Sequence, residues 1–128
     1  MINWLEILGW GSDQLEDLRF VGFSYIKQGQ YDIALRFFEA LDVLAENTYD
    51  QQTLGALYLQ KGENLLALNT IEKALKLDPT HVPTLLNRAK AMLALGYKRQ
   101  GITAAQSLAQ NPDLNIANQA SALILAYD

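Results

Sequence analysis

The 128-residue chain has no cysteine, one histidine and only three prolines. Without cysteine there is no disulfide framework, no thiolate metal site and no thiol nucleophile, a composition that suits a reducing compartment. A second histidine, which a shared metal would need, is also missing, so no metal site is expected. The single imidazole, His81, follows Asp78-Pro79-Thr80 and reads as a surface or capping group. No stretch approaches the ~20 apolar residues that span a bilayer, so no membrane partner is expected. Met1-Ile2-Asn3-Trp4 lacks the basic start of a signal peptide, and Glu6 interrupts the first apolar run, so a cytoplasmic protein is expected. Net positive charge is missing as well. At a formal charge of −4 and a pI near 4.9, the chain has no basic stripe with which to neutralise phosphates, which argues against nucleic acid as a partner.

What is present is apolar: half of the residues are hydrophobic and 19% are charged, the balance of a soluble globular domain rather than a disordered chain. The length fits one domain with a continuous core. Charge is unevenly spread, with nine acidic and three basic residues in 1–50 but five and seven in 51–128.

One pattern recurs three times at a spacing of 33 to 34 residues. Gly22, Gly55 and Ala89 align, as do Gly29, Gly62 and Gly96, then Ala34, Ala67 and Gly101. Tyr25, Tyr58 and Met92 keep the same step, followed by Phe38, Ile71 and Ala105, and by Leu41, Ala74 and Leu108. Such a period with small residues at fixed places marks a repeated helix-turn-helix unit that buries its apolar face only by stacking on neighbours.

The pattern predicts an all-α solenoid in one domain. An apolar N-terminal helix over 1–14 is followed by repeats over 15–47, 48–81 and 82–113 and by a capping helix over 114–128. Gly29, Gly62 and Gly96 break the helices. Pro79 closes the second unit because proline supplies no N–H, and Thr80 is the expected N-cap of the next helix. Gly22, Gly55 and Ala34 keep the crossing helices close, while Tyr25, Tyr31, Phe38 and Tyr58 are expected to fill the core. The third unit is degenerate, with Arg88 where Val21 and Leu54 stand and Gly101 in place of alanine.

Leu18-x2-Val21-Gly22-x2-Tyr25 followed by Gly29-x-Tyr31-x2-Ala34-x3-Phe38 resembles the tetratricopeptide repeat signature, and Lys76-Leu77-Asp78-Pro79 is similar to its usual boundary. In that family the first helix of each unit lines a concave groove. The resemblance therefore implies a groove from Glu16, Arg19, Phe20, Phe23, Ile26 and Lys27; from Tyr49, Gln52, Thr53, Ala56, Leu59 and Gln60; and from Pro83, Leu86, Asn87, Lys90, Leu93 and Ala94. Members that grip the acidic tails of heat-shock chaperones place Lys, Asn and Arg here. Only Arg19 matches, while Phe23, Thr53, Pro83 and Asn87 depart, so a terminal carboxylate would lack its charge-assisted donors. The groove implied is instead apolar, through Phe20, Phe23, Ile26, Ala56, Leu59, Leu86 and Leu93, with Arg19, Gln52, Asn87 and Lys90 as its polar members. An extended peptide with hydrophobic anchors is the expected ligand.

A closer resemblance lies in Tyr31 to Leu44 and Leu54 to Gly62, which look like the tetratricopeptide chaperones of bacterial type III secretion. Those proteins hold translocator subunits in the groove, and many dimerise through N-terminal helices. The resemblance implies a non-enzymatic, cytoplasmic chaperone of a translocator client. Needle-subunit chaperones of the same systems and a generic interaction scaffold are the alternatives, since only about fourteen residues precede the first repeat. Trp4, Leu5, Leu8 and Trp10 load the N-terminal stretch with apolar surface that suits a homodimer or co-chaperone contact, a cap over the first repeat, or occupation of the groove. Chemistry is not expected. Glu16-Asp17 and the Glu39/Asp42 pair read as solvated helix faces, and no phosphate loop, nucleophile elbow or zinc-helix pattern occurs, so no cofactor is implied.

Overall fold

The computed structural model describes residues 3–128, all of whose regular structure is helical. The elements are α1 (Trp4–Leu8), α2 (Ser12–Lys27), α3 (Tyr31–Leu44), α4 (Thr48–Gln60), α5 (Asn64–Leu77), α6 (Val82–Ala94), α7 (Lys98–Leu108) and α8 (Leu114–Tyr127). Helices α2 and α3, α4 and α5, and α6 and α7 form three hairpins stacked in chain order, an all-α solenoid closed by α8.

The turns inside the three hairpins are one motif repeated. Gly29, Gly62 and Gly96 adopt φ of 73°, 81° and 90°, the left-handed region in which a Cβ is penalised. Each lets the next N–H reach back to the third-last helical carbonyl: Gln30 to Tyr25, Glu63 to Tyr58 and Tyr97 to Met92, all at 2.9 Å. The glycines also donate to Ile26, Leu59 and Leu93. These paired bonds make the Schellman ending that satisfies otherwise orphaned carbonyls. The step from 33 to 34 has an equally local origin. Three residues separate α3 from α4 and four separate α5 from α6.

A second set of glycines serves space rather than torsion. A Cβ on Gly22 would sit 2.9 Å from Phe38 Cε2, one on Gly55 2.7 Å from Ile71 Cγ1, and one on Gly101 2.6 Å from Leu93 Cγ. These glycines let the two helices of each unit close on Phe38, Ile71 and Leu93. Gly101, degenerate by the repeat rule, makes room for the leucine of its own partner helix. Arg88, the other irregular position, donates from Nε to Glu72 Oε1 on α5 and so ties the third unit to the second.

The main core joins the first two units through Ala34, Phe38, Leu41, Leu54, Leu57, Tyr58, Ala67 and Ile71. Fully burying a side chain such as Phe38 stabilises by about 1.5–3 kcal/mol. A second cluster of Leu86, Leu108, Ile116 and Ala120 shows α8 lying over the last unit as a further first helix would.

Three local expectations are corrected. The apolar start is a helix of five residues, not a helix over 1–14, because Gly9 turns left-handed at φ 66° and α2 begins at Ser12; Met1 and Ile2 lie outside the described residues. Thr80 does not cap α6; His81 holds that position, while Thr80 Oγ1 donates to Asp78 Oδ1 at 3.4 Å. Tyr31 is not core: it is 40% exposed. As the first residue of α3, directly after the Gly29 turn, it lies where the backbone leaves the stack.

Candidate functional site

The inner face of the stack encloses an open cavity of about 420 Å³. Phe23 and Ile26 of α2 form one wall; Tyr49, Gln52, Thr53, Ala56, Leu57 and Gln60 of α4 form the floor; His81, Pro83, Thr84 and Asn87 close it from α6, and Tyr31 stands at the mouth. Phe23 is held between two other rings. Its ring meets buried Phe38 edge-on at 5.3 Å and Tyr49 at 5.4 Å, geometries favourable for aromatic pairs. Small side chains at Thr53 and Ala56, on successive turns of α4, leave the hollow between these aromatics and α6. Thr53 turns its hydroxyl back onto the Tyr49 carbonyl at 2.9 Å, which quiets its polarity toward the cavity. Where α6 enters, His81 Nδ1 and Thr84 Oγ1 share a 2.7 Å hydrogen bond.

Of the eleven groove residues expected, Phe23, Ile26, Gln52, Ala56 and Asn87 are brought together at this cavity. Phe20 projects to solvent at 73% exposure on the same helix. Leu59 is half-buried and packs against the main core. Leu86 and Leu93, each 3% exposed, are covered and line nothing: Leu86 lies under α8, and Leu93 over Gly101 of α7.

Arg19 is likewise withdrawn. Its Nε and Nη2 donate to Asp50 Oδ1 and Oδ2 at 2.6 and 2.8 Å, and Asp50 is 1% exposed. The hydrogen bond to Asp50 raises the Arg19 pKa above its ordinary value, against an opposing effect of burial. Arg19, Gln52 and Leu86 occupy one register position. In units one and three that position faces the next first helix, α4 or α8. It serves the stacking of units, which a period read along one chain does not reveal.

Lys90, one turn after Asn87 on α6, does not line the cavity; its ammonium lies 3.0 Å from Gln119 Oε1 of α8. Tyr31, Leu57, His81 and Thr84 were not expected at the groove. Pro83, at the start of α6, was the nearest signal for His81 and Thr84; nothing in the sequence marked Tyr31, whose spacing matched core.

Helix α1 stays outside the cavity and rests against α3. Trp4 and Leu8 are 42% and 47% exposed, whereas Leu5 and Trp10 are half-buried. Trp10 forms a shallow hollow with Gln14, Asp17, Leu18 and Val21. No helix in the described residues is long and apolar enough to cross a membrane.

Residues 51–81 match the tetratricopeptide repeat family. The whole fold is similar to PcrH from Pseudomonas aeruginosa, with 26% identity, a TM-score of 0.72 and coverage of 91% of this chain and 93% of that one. PcrH in complex with the chaperone binding region of PopD is similar at 27% identity and a TM-score of 0.76, over 93% and 94% of the two chains. The Yersinia enterocolitica type III secretion chaperone SycD, bound to a peptide of the translocator YopD, superposes with a TM-score of 0.78 at 23% identity, over 91% and 94%. No curated protein sequence matches the chain.

Proposed function

From a tetratricopeptide-repeat solenoid built like these secretion chaperones, we propose that the chain is a non-enzymatic, cytoplasmic chaperone of a type III secretion translocator. Its concave groove holds an extended hydrophobic segment of the client. The observation that carries this reading is the open cavity between Phe23, Tyr49, Ala56 and Asn87. Its lining mixes aromatic and aliphatic side chains with amides, and no segment of the described chain fills it.

The physical logic is concealment. A translocator must insert into a membrane after secretion, so before secretion it exposes segments that aggregate in water. A groove with aromatic walls and small residues on its floor removes apolar side chains from water at about 25 cal/mol per Å². The lining also offers Gln52, Gln60 and Asn87, whose amides can pair with the backbone of an extended segment, leaving fewer buried polar groups unsatisfied. PcrH and SycD, which share this architecture, were captured with segments of PopD and YopD. The test is fluorescence anisotropy with peptides tiled along the translocator subunits of the host's own secretion system. One apolar segment should bind and should compete with the intact subunit. If no tile binds and the intact subunit does not associate, the reading is wrong.

A further inference from the structure

Lys90 holds, in the third unit, the register position that Phe23 and Ala56 hold in the first two. Phe23 and Ala56 line the cavity, as does Asn87, which precedes Lys90 by three residues on α6. Residues three apart share a helix face and lie ~4.5 Å apart along its axis. The repeat thus places Lys90 one turn beyond a lining residue, at a position whose counterparts in the first two units are apolar and line the cavity.

This ammonium has a neutral partner. Lys90 is half-buried, donates to the amide oxygen of Gln119, and forms no ion pair among the described residues. Gln119 is itself oriented, since its Nε2 donates to Asn115 Oδ1 at 3.3 Å. Arg19 differs in kind: Asp50 neutralises it within the fold. The bond to Gln119 leaves the ammonium's charge uncompensated, and an ammonium carries three donors, so Lys90 can keep Gln119 and still donate to a carboxylate, a charge-assisted bond that also neutralises it.

We propose that the segment held in the groove carries an Asp or Glu side chain next to its apolar anchors, and that Lys90 binds that carboxylate. The inference rests on the reading of the groove as a peptide site and adds its register. Apolar contacts alone let an extended segment slide, whereas a single charge pair one turn beyond the lining fixes where the anchors fall.

The test is selection of a displayed random-peptide library on the intact protein, in parallel with Lys90→Gln, Lys90→Arg and Lys90→Glu. The natural protein and Lys90→Arg should enrich apolar anchors with an acidic residue at a constant spacing. Lys90→Gln should keep the anchors and lose the acid, and Lys90→Glu should prefer Lys or Arg there. For a selected peptide, replacing the acid by its amide should weaken binding about tenfold to the natural protein, and hardly at all to Lys90→Gln. Anchors enriched without any acidic preference overturn this inference and leave the groove reading intact. Enrichment of no shared anchor overturns both.

Discussion

Arg19 of α2 clasps Asp50 of α4 through two hydrogen bonds of 2.6 and 2.8 Å, with Asp50 1% exposed. The pair joins the first unit to the second, so a residue that reads from sequence as a ligand-binding cation is a structural tie. Asn47 completes the arrangement by accepting from the Asp50 N–H at 3.0 Å. Asp50→Ala should destabilise the fold by about 3 kcal/mol, the low end for breaking a buried pair because Arg19 is partly solvated. Replacing both partners by apolar residues, Arg19→Met with Asp50→Leu, should recover most of that loss in a denaturant melt.

The contact between Gly101 and Leu93 gives a second prediction. An alanine normally gains about 1 kcal/mol over glycine inside a helix. Here its Cβ would meet Leu93 Cγ at 2.6 Å, and a γ-carbon cannot swing aside as a terminal methyl can. Gly101→Ala should therefore lower stability, by about 1–2 kcal/mol net of the helix gain. Adding Leu93→Val should remove the clash, and thermal melts of the two variants should differ in that direction.

Tyr58 predicts a pH dependence. Burial first, and then the 2.7 Å bond its hydroxyl donates to Glu39, raise its pKa from 10.0 to about 12. Below pH 10 the phenol is protonated in folded and unfolded chains alike, so its contribution to stability is complete. Between pH 10 and about 12 the unfolded chain loses this proton first, and the contribution fades. Tyr58→Phe should be less stable at neutral pH, and the difference from the natural protein should shrink as pH rises through that window.

The turns and the close crossings within each unit were legible because each depends on residues close in sequence. Gly29 and Gly62 mark left-handed turns, and Gly22 and Gly55 mark close crossings, whatever the rest of the chain does. The groove was only half legible. Phe23, Ile26 and Ala56 lie on the concave face of their own helices, where the family resemblance placed them. Arg19 and Leu86 share that period but are consumed by Asp50 and α8, partners about thirty residues away, and Leu93 by the packing against Gly101 of its own unit. Tyr31 shows the reverse: its spacing matched core, yet its place right after the Gly29 turn leaves it at the groove mouth.

We propose that α1 self-associates through its outer side. Trp4 and Leu8 are exposed, while Leu5 and Trp10 are half-buried against the protein. Trp4→Ala with Leu8→Ala should lower the mass seen in sedimentation equilibrium and leave the melting temperature nearly unchanged. The same change at Trp10 should cost stability, through the hollow it forms with Leu18 and Val21.

The groove itself is best probed from its floor. Ala56 is half-exposed and faces the 420 Å³ cavity, so Ala56→Trp fills the hollow without touching the core, whereas Leu59→Glu would disturb packing. The decisive measurement is co-expression of the chain with each translocator subunit of the host's secretion system, comparing the natural protein with Ala56→Trp at matched helicity. The account predicts that one translocator stays soluble and co-purifies with the natural protein, and that it aggregates when paired with Ala56→Trp. A translocator kept equally soluble by both proteins, or by neither, would contradict it.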